Sequence, residues 1–407
     1  MSGVHLDAAV EPFYHQVVPH RPAPRIRIAY CVTLMDLGGT ELNAARTAER
    51  LDHDRFDVTV VSLADKGPML QRYASAGIPV QRFPITSLYN RTALREGLRL
   101  YRFLRANRIE ILHCHDMYSN VFATPWARLA RVPLVIASRR WIHPASDRRM
   151  ELANRFAYRL VHRVLGNSRA VGQLLRDGDG VAENRILWVP NFVEERAFES
   201  PNAAARSAFR KELGIPADAE VVGCIARLVD HKDHATLLRA IGLIAARRPA
   251  LHLVLIGDGP RRPDLERLAA DLDISARTHF AGERPNLPNL HHFFDVAALA
   301  SITEGFPNSL VEAMAAGRPV VATNVGGNPD AVRPSTGILV PPSDPIAFAR
   351  ALERVLTDEA LRRRMGGAAL GVARTEYHVD AVIPGLEAIY LQFLGRGTTP
   401  RHLSPDS

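Results

Sequence analysis

The chain has 407 residues, of which 47% are hydrophobic and 23% charged, and a formal net charge of +8. That length exceeds the ~250–300 residues at which a single core stops growing, so two domains are expected, and the composition excludes a disordered or fibrous chain. The basic balance leaves nucleic acid, anionic membrane and phosphorylated small molecules as partner classes, while three separated cysteines, Cys31, Cys114 and Cys224, exclude a disulfide framework.

Residues 1–24 hold four prolines and little periodicity, and read as a flexible N-terminal arm. They lack the basic-then-apolar order of a secretory signal, and no later apolar run approaches ~18 residues, so a cytoplasmic protein without a spanning helix is expected. From residue 25, short β-branched runs alternate with helical patterns. RIRIAYCV precedes TELNAARTAERL, FDVTVVSL precedes PMLQRYASAG, IEILHCH precedes YSNVFATPWARLA, and VPLVIAS precedes a helix near 147–161. Strand alternating with helix predicts parallel strands joined by right-handed crossovers, a doubly wound domain over 25–190. Within it, the helix near 91–108 carries Arg91, Arg95, Arg99 and Arg102 on one face beside Leu94, Leu98 and Tyr101. Such a helix either packs on the sheet with its arginines in water or lies on an anionic membrane.

The alternation weakens over 191–218, read as a linker, and restarts over 219–378 as a second α/β domain. EVVGCIAR is followed there by ATLLRAIGLIAARR, with LHLVLIG, THFAG, VAALAS and PVVAT as further strands. A helix over 379–394 closes the fold, and 395–407 is a polar tail. The class is therefore α/β, with two facing doubly wound Rossmann-like domains and an interdomain cleft at the carboxyl ends of both sheets, where such sheets bind ligands.

Four motifs fall in loops that follow strands. Gly38 and Gly39 stand at the first strand-to-helix turn, where missing Cβ atoms and free helix N–H groups suit a phosphate, or where there is only a tight turn. In HCHD, alternation puts His113 and His115 on one face with Cys114 opposite; two histidines fall short of a zinc set, and the alternatives are a cleft-facing histidine or one packed beneath a loop. Arg227 and Lys232, five apart after the first strand of the second domain, suit a diphosphate or form a solvated pair. The fourth is SITEGFPNSLVEAMAAGRPVVAT. Glu304 lies on its loop and Glu312 about one turn into a helix starting near Asn308, whose first N–H groups, at Asn308, Ser309 and Leu310, would be unpaired donors for an anion. A carboxylate at Glu312 can accept both hydroxyls of a ribose. The D-x-D pairs Asp52/Asp54, Asp177/Asp179 and Asp271/Asp273 read as chance spacings rather than a metal site.

Together GGTE, HCHD, GNSRAV, VPNFVEERAF, ARLVDHKDHATLL, LIGDGP, EGFPNSLVE, GRPVVATNVGGNPDAV and GILVPPSDP resemble a family-4 retaining glycosyltransferase (group 1) with the GT-B fold, over roughly residues 25–394. The resemblance implies transfer of a hexosyl-type sugar from a nucleotide diphosphate, UDP in preference to GDP, to a saccharide or lipid-linked acceptor. It implies no cofactor, no metal and no nucleic-acid partner. It assigns Gly38 and Gly39 to the diphosphate from the first domain, and Arg227 and Lys232 to it from the second. Glu304 and the Gly305–Phe306 backbone would meet the sugar hydroxyls. Asn308, Ser309 and Leu310 would meet phosphate, Glu312 the ribose, and His115 the transferred sugar. His115, Arg227, Lys232 and Glu304 are the catalytic candidates. Cell-surface polysaccharide or glycolipid synthesis, with peripheral contact to an anionic membrane, is the expected setting. The alternatives are a same-fold epimerase or phosphorylase, or a non-catalytic nucleotide-sugar-binding subunit. Asn191-Phe192-Val193-Glu194, Lys232-Asp233 and Pro329-Asp330 depart from the family's usual N-G-V-D, K-G and P-E.

Overall fold

The computed structural model describes residues 24–36, 38–142, 148–284 and 289–396. The 1–24 arm and the 395–407 tail thus lie almost wholly outside the described residues. The first sheet comprises β1 (Ile26–Val32), β2 (Phe56–Ser62), β3 (Val80–Arg82), β4 (Ile111–Cys114), β5 (Leu134–Arg139), β6 (Arg163–Gly166) and β7 (Ile186–Trp188). All pairings are parallel, in the order β3-β2-β1-β4-β5-β6-β7. The second sheet comprises β8 (Glu220–Ile225), β9 (Leu251–Ile256), β10 (Thr278–Gly282), β11 (Val296–Leu299), β12 (Val320–Thr323) and β13 (Gly337–Val340), again parallel, in the order β10-β9-β8-β11-β12-β13. Both domains are doubly wound, with the order reversing beside β1 and β4 in one and beside β8 and β11 in the other. The loops that leave these four strands are where this topology opens a crevice.

Because helices cover both faces of each sheet, the strands are apolar on both sides. In β1, Ile26, Ile28, Tyr30 and Val32 enter one core cluster while Ala29 and Cys31 enter the opposite one. The first cluster is completed from the far end of the chain: Val379, Val382, Ile383, Leu386, Ile389 and Tyr390, on the helix Val379–Phe393, pack against β1, β2 and the helix Gly39–Arg50. The residues read as linker contain the helix Ala203–Glu212, whose Phe209 stacks on Phe293 of the second domain. The chain thus crosses between domains twice. The two crossings touch at Val193, whose N–H donates to Tyr377 O at 2.8 Å and whose carbonyl accepts from Val379 N at 3.0 Å. No helix among the described residues is long and apolar enough to cross a membrane.

Candidate functional site

In the first domain, the loop after β1 ends at Gly38, whose extended backbone caps the helix Gly39–Arg50. Glu41 folds its carboxylate back onto this turn, so that a Cβ added at Gly38 would lie 2.2 Å from Glu41 Oε2. Burial, helped by Asp116 and Asp36, pushes the Glu41 carboxyl up. At Gly39 the only atom of the described residues near an added Cβ is Asn308 Nδ2 of the second domain, at 3.8 Å. The Gly38–Gly39 turn therefore faces Asn308, at the start of the helix Asn308–Ala315, across the seam.

β4 carries His113, and the loop after it carries His115. His113 and His115 lie on one face, ring centroids 4.2 Å apart and nearly parallel, while Cys114 sits in the core cluster behind. Their roles separate. His113 is fully bonded, Nδ1 to the Tyr390 hydroxyl at 2.7 Å and Nε2 to Ser138 Oγ at 2.8 Å. His115 is equally buried, yet neither ring nitrogen has a partner among the described residues. Burial foremost, then the neighbouring His113 ring and the Arg140 cation, holds His115 neutral, well below the usual imidazole range. Asp116 caps the next helix and accepts from Thr33 N at 2.8 Å, tying the β1 and β4 loops together.

In the second domain, Arg227 is exposed beyond β8 and makes no ion pair among the described residues. Lys232 ends the short turn Asp230–Lys232, and its Nζ meets Glu304 Oε1 at 2.5 Å. The same oxygen accepts from Ser301 Oγ at 2.7 Å. The Glu304 carbonyl is held by Gly327 N at 3.0 Å. Gly305 has room for no side chain, because a Cβ there would lie 2.2 Å from Arg140 O across the seam. The Phe306 ring turns into the core, 5.8 Å from that of Tyr377, which leaves only its backbone near the loop surface.

The helix Asn308–Ala315 departs in detail from the expected row of free donors. Asn308 N closes on Phe306 O and Leu310 N on Pro307 O, because the Pro307 kink folds the loop back under the first turn. Ser309 N is left without a backbone acceptor. Glu312, on this helix, is one-third exposed and faces Arg46 of the first domain at 3.8 Å. Burial raises its carboxyl, opposed by Arg46 and Arg196. Arg46 also reaches Glu194 at 3.5 Å, and Arg50 and Arg196 reach it at 2.9 and 3.3 Å. Burial opposes ionisation of Glu194, but these cations outweigh it and hold the carboxyl low.

The structure thus brings Gly39 to Asn308 and Lys232 to Glu304, and sets Glu312 against the first domain. It separates His113, a structural residue, from His115. Asp179, in one of the D-x-D pairs, is no loose loop residue: Arg139 and Arg155 both bind its buried carboxylate. Among the described residues no three His, Cys, Asp or Glu side chains are grouped to hold a metal ion. Arg46, Glu41, Asn43, Arg140 and Asn191 belong to the seam; none was assigned a role from the sequence, although Glu41 and Asn191 lie in the motifs quoted above. The one signal for Arg140 was its place at the carboxyl end of a strand, just after β5.

Comparison with known proteins agrees with this arrangement. The family model "Glycosyl transferase 4-like domain" matches residues 38–191 and "Glycosyl transferases group 1" matches 205–371. The lipopolysaccharide core biosynthesis glycosyltransferase LpsE of Rhizobium meliloti is 38% identical over 157 residues, 38% of this chain and 45% of that protein. The Escherichia coli UDP-Gal:alpha-D-GlcNAc-diphosphoundecaprenol alpha-1,3-galactosyltransferase is 26% identical over 83% of this chain and 89% of its own. Several of the relatives are matched over only about half their length. Anabaena HepE, solved in complex with UDP, superposes with a TM-score of 0.80 at 22% identity, covering 90% of this chain and 100% of that one. The shared architecture is the GT-B fold.

Proposed function

We propose, from the premise that the chain belongs to the group 1 glycosyl transferases, that it moves a hexosyl-type sugar from a nucleotide diphosphate, UDP in preference to GDP, onto a saccharide or lipid-linked acceptor with retained configuration. The observation that carries this reading is the meeting of two strand-to-helix turns across the seam: Gly39 of one domain faces Asn308 of the other, with nothing else within 4 Å of an added Cβ. Two helix starts aimed at one gap suit a diphosphate.

In this reading Arg227, Lys232 and the Ser309 N–H stabilise the charge that builds on the departing diphosphate, and no metal is required. Glu304, already bonded to Lys232 and Ser301, receives sugar hydroxyls, and Glu312 the ribose. His115 offers an uncharged ring to the transferred sugar. The anomeric carbon–oxygen bond to the diphosphate breaks and a bond to the acceptor oxygen forms on the same face. The acceptor proton passes to the departing phosphate oxygen, so no protein nucleophile is needed.

A thermal-shift screen with nucleoside diphosphates and their sugars tests the reading. A bound nucleotide at 100 times its Kd adds about 2.7 kcal/mol of stability. No shift with any of them sinks the proposal; turnover without an acceptor, or only with free phosphate, replaces it with an epimerase or phosphorylase. Turnover abolished by EDTA and restored by Mg²⁺ or Mn²⁺ overturns the metal-free part.

The setting we propose is cytoplasmic, with the first domain docked on an anionic membrane. On the helix Arg91–Ala106, Leu94 and Leu98 are 59% and 41% exposed beside Arg91, Arg95, Arg99 and Arg102. Of these, Leu94 and Arg91 line a groove of about 530 Å³ together with Tyr89, Phe122 and Trp126. Each basic group near such a surface adds about 1 kcal/mol. Co-sedimentation with anionic but not neutral vesicles, lost at high salt and in Arg95→Glu/Arg99→Glu, is expected. Protein that stays in the supernatant with anionic vesicles at low salt refutes the docking.

A further inference from the structure

Arg140 follows β5 at the floor of the interdomain seam. Its Nη1 donates to Asn43 Oδ1 at 2.6 Å and to Asn191 Oδ1 at 2.8 Å. Asn43 lies on the helix that starts at Gly39, and Asn191 in the first crossing between domains. Asn191 Nδ2 in turn donates to Asn308 Oδ1 at 2.7 Å, at the start of the Asn308–Ala315 helix. The guanidinium therefore sits beneath both helix starts and is tied to each by amides.

What this cation lacks is an anion. Its Nε is buried without a partner, Nη2 makes no hydrogen bond, and no carboxylate pairs with it among the described residues. The neighbouring Arg139 shows the usual solution, with the buried carboxylate of Asp179 bonded to it. Among the described residues no carboxylate bonds to Arg140: burial lowers its pKa to about 10, opposed by Tyr390 and Tyr30. His115, with both ring nitrogens unbonded, lies close enough to feel its charge. A desolvated guanidinium left without a counter-ion is costly, and the surrounding amides offset only part of that cost. Arginine's planar fork matches phosphoryl oxygens.

We propose that Arg140 is a phosphate-binding residue, the first domain's own cation for a phosphoryl group lodged between the starts of the Gly39 and Asn308 helices. This rests on reading the cleft as a nucleotide-sugar site. The phosphoryl group belongs either to the donor diphosphate or to a phosphorylated acceptor. The amide links place the cation under the gap in advance, so that binding the anion also closes the seam.

Calorimetry on the full chain decides it, with wild type compared against Arg140→Gln and Arg140→Lys. The probes are UDP, GDP, uridine, guanosine, and inorganic phosphate added to nucleotide-saturated protein. In Arg140→Gln, affinity for the preferred diphosphate is expected to fall about tenfold or more, the scale of one charge-assisted bond, while the bare nucleoside binds as in wild type and Arg140→Lys recovers part of the loss. Loss of inorganic phosphate binding with diphosphate affinity intact assigns Arg140 to the acceptor's phosphate. Unchanged affinity for all probes overturns the inference alone. Equal loss for diphosphate and nucleoside also overturns it, because Arg140 then only packs the seam. A wild type that binds neither UDP nor GDP overturns the nucleotide-sugar reading, and this inference with it.

Discussion

Lys232 and Glu304 show how little of the site's chemistry a single residue carries alone. Removing the lysine takes away one preorganised donor for the departing diphosphate and leaves a buried carboxylate bonded only to Ser301. Lys232→Ala is expected to lose about 10²–10³ in turnover, and a variant within a few-fold of wild type would reduce the lysine to a surface charge. Glu304→Gln keeps the shape but loses the ion pair, so turnover should fall more than nucleotide affinity. Glu312→Ala should do the opposite: a charged acceptor to ribose hydroxyls is worth about 1.5–3 kcal/mol, or roughly ten- to a hundred-fold in Kd, read by titration with the nucleoside diphosphate. His115 is held neutral far below its ordinary range. The kcat/KM profile between pH 6 and 8 should therefore show no limb from this residue; an ionisation near 6.5 that disappears in His115→Gln would contradict the buried, neutral ring.

At the scale of elements, the helix Gly39–Arg50 offers a test that separates ligand from fold. An alanine Cβ at position 39 meets only Asn308 Nδ2, at 3.8 Å, and alanine favours a helix by about 1 kcal/mol over glycine. Gly39→Ala should keep or raise Tm while weakening nucleoside diphosphate binding; unchanged binding would remove this turn from the site. Gly305→Ala, aimed at Arg140 O, should disturb the seam itself and lower both. The element scale is also where the sequence was most and least readable. Strands of six or seven residues rich in β-branched and apolar side chains, such as β1, β2 and β9, and the loops directly after them, could be placed from pattern alone. The short strands β3, β6, β7 and β13, of three or four residues, were not read, whereas the equally short β4, β11 and β12 were, because they precede loops that carry motifs or follow one. The helix Ala203–Glu212 hid in a stretch read as linker because its neighbours are turns. The seam residues Arg46 and Arg140 were invisible, and Asn191 was without a role, for another reason: their meaning depends on which loops of two separate sheets come to face each other.

Across the whole molecule, several buried histidines fix how stability follows pH. Burial lowers His234 and His279 to about 4 and His291 to about 3, and places His113 and His115 well below 6.5. In the unfolded chain each takes up a proton near pH 6.5. The stability these neutral rings contribute is thus fully present above pH 6.5 and is lost as pH falls from there toward the folded-state values. Calorimetric Tm should drop steadily from pH 7 to pH 5; a flat profile over that range would contradict the buried, neutral assignment. Tyr390 links the ends of the chain, its hydroxyl bonded to Tyr30 at 2.8 Å and to His113 at 2.7 Å. Tyr390→Phe leaves those buried partners short of a bond and should cost about 1–3 kcal/mol.

The late return of the helix Val379–Phe393 also sets an order of events during synthesis. One face of the first sheet, including Ile28, Tyr30 and Val60, is covered only in part, by Ala44, Ala45, Ala48, Met69 and Tyr73, until Leu386 and Tyr390 have been made. The second domain is complete before then and can fold while the first still shows an apolar face to the cell. Throughout the synthesis of the second domain the first is therefore unfinished, and its incompletely covered face is where chaperones would bind a nascent chain.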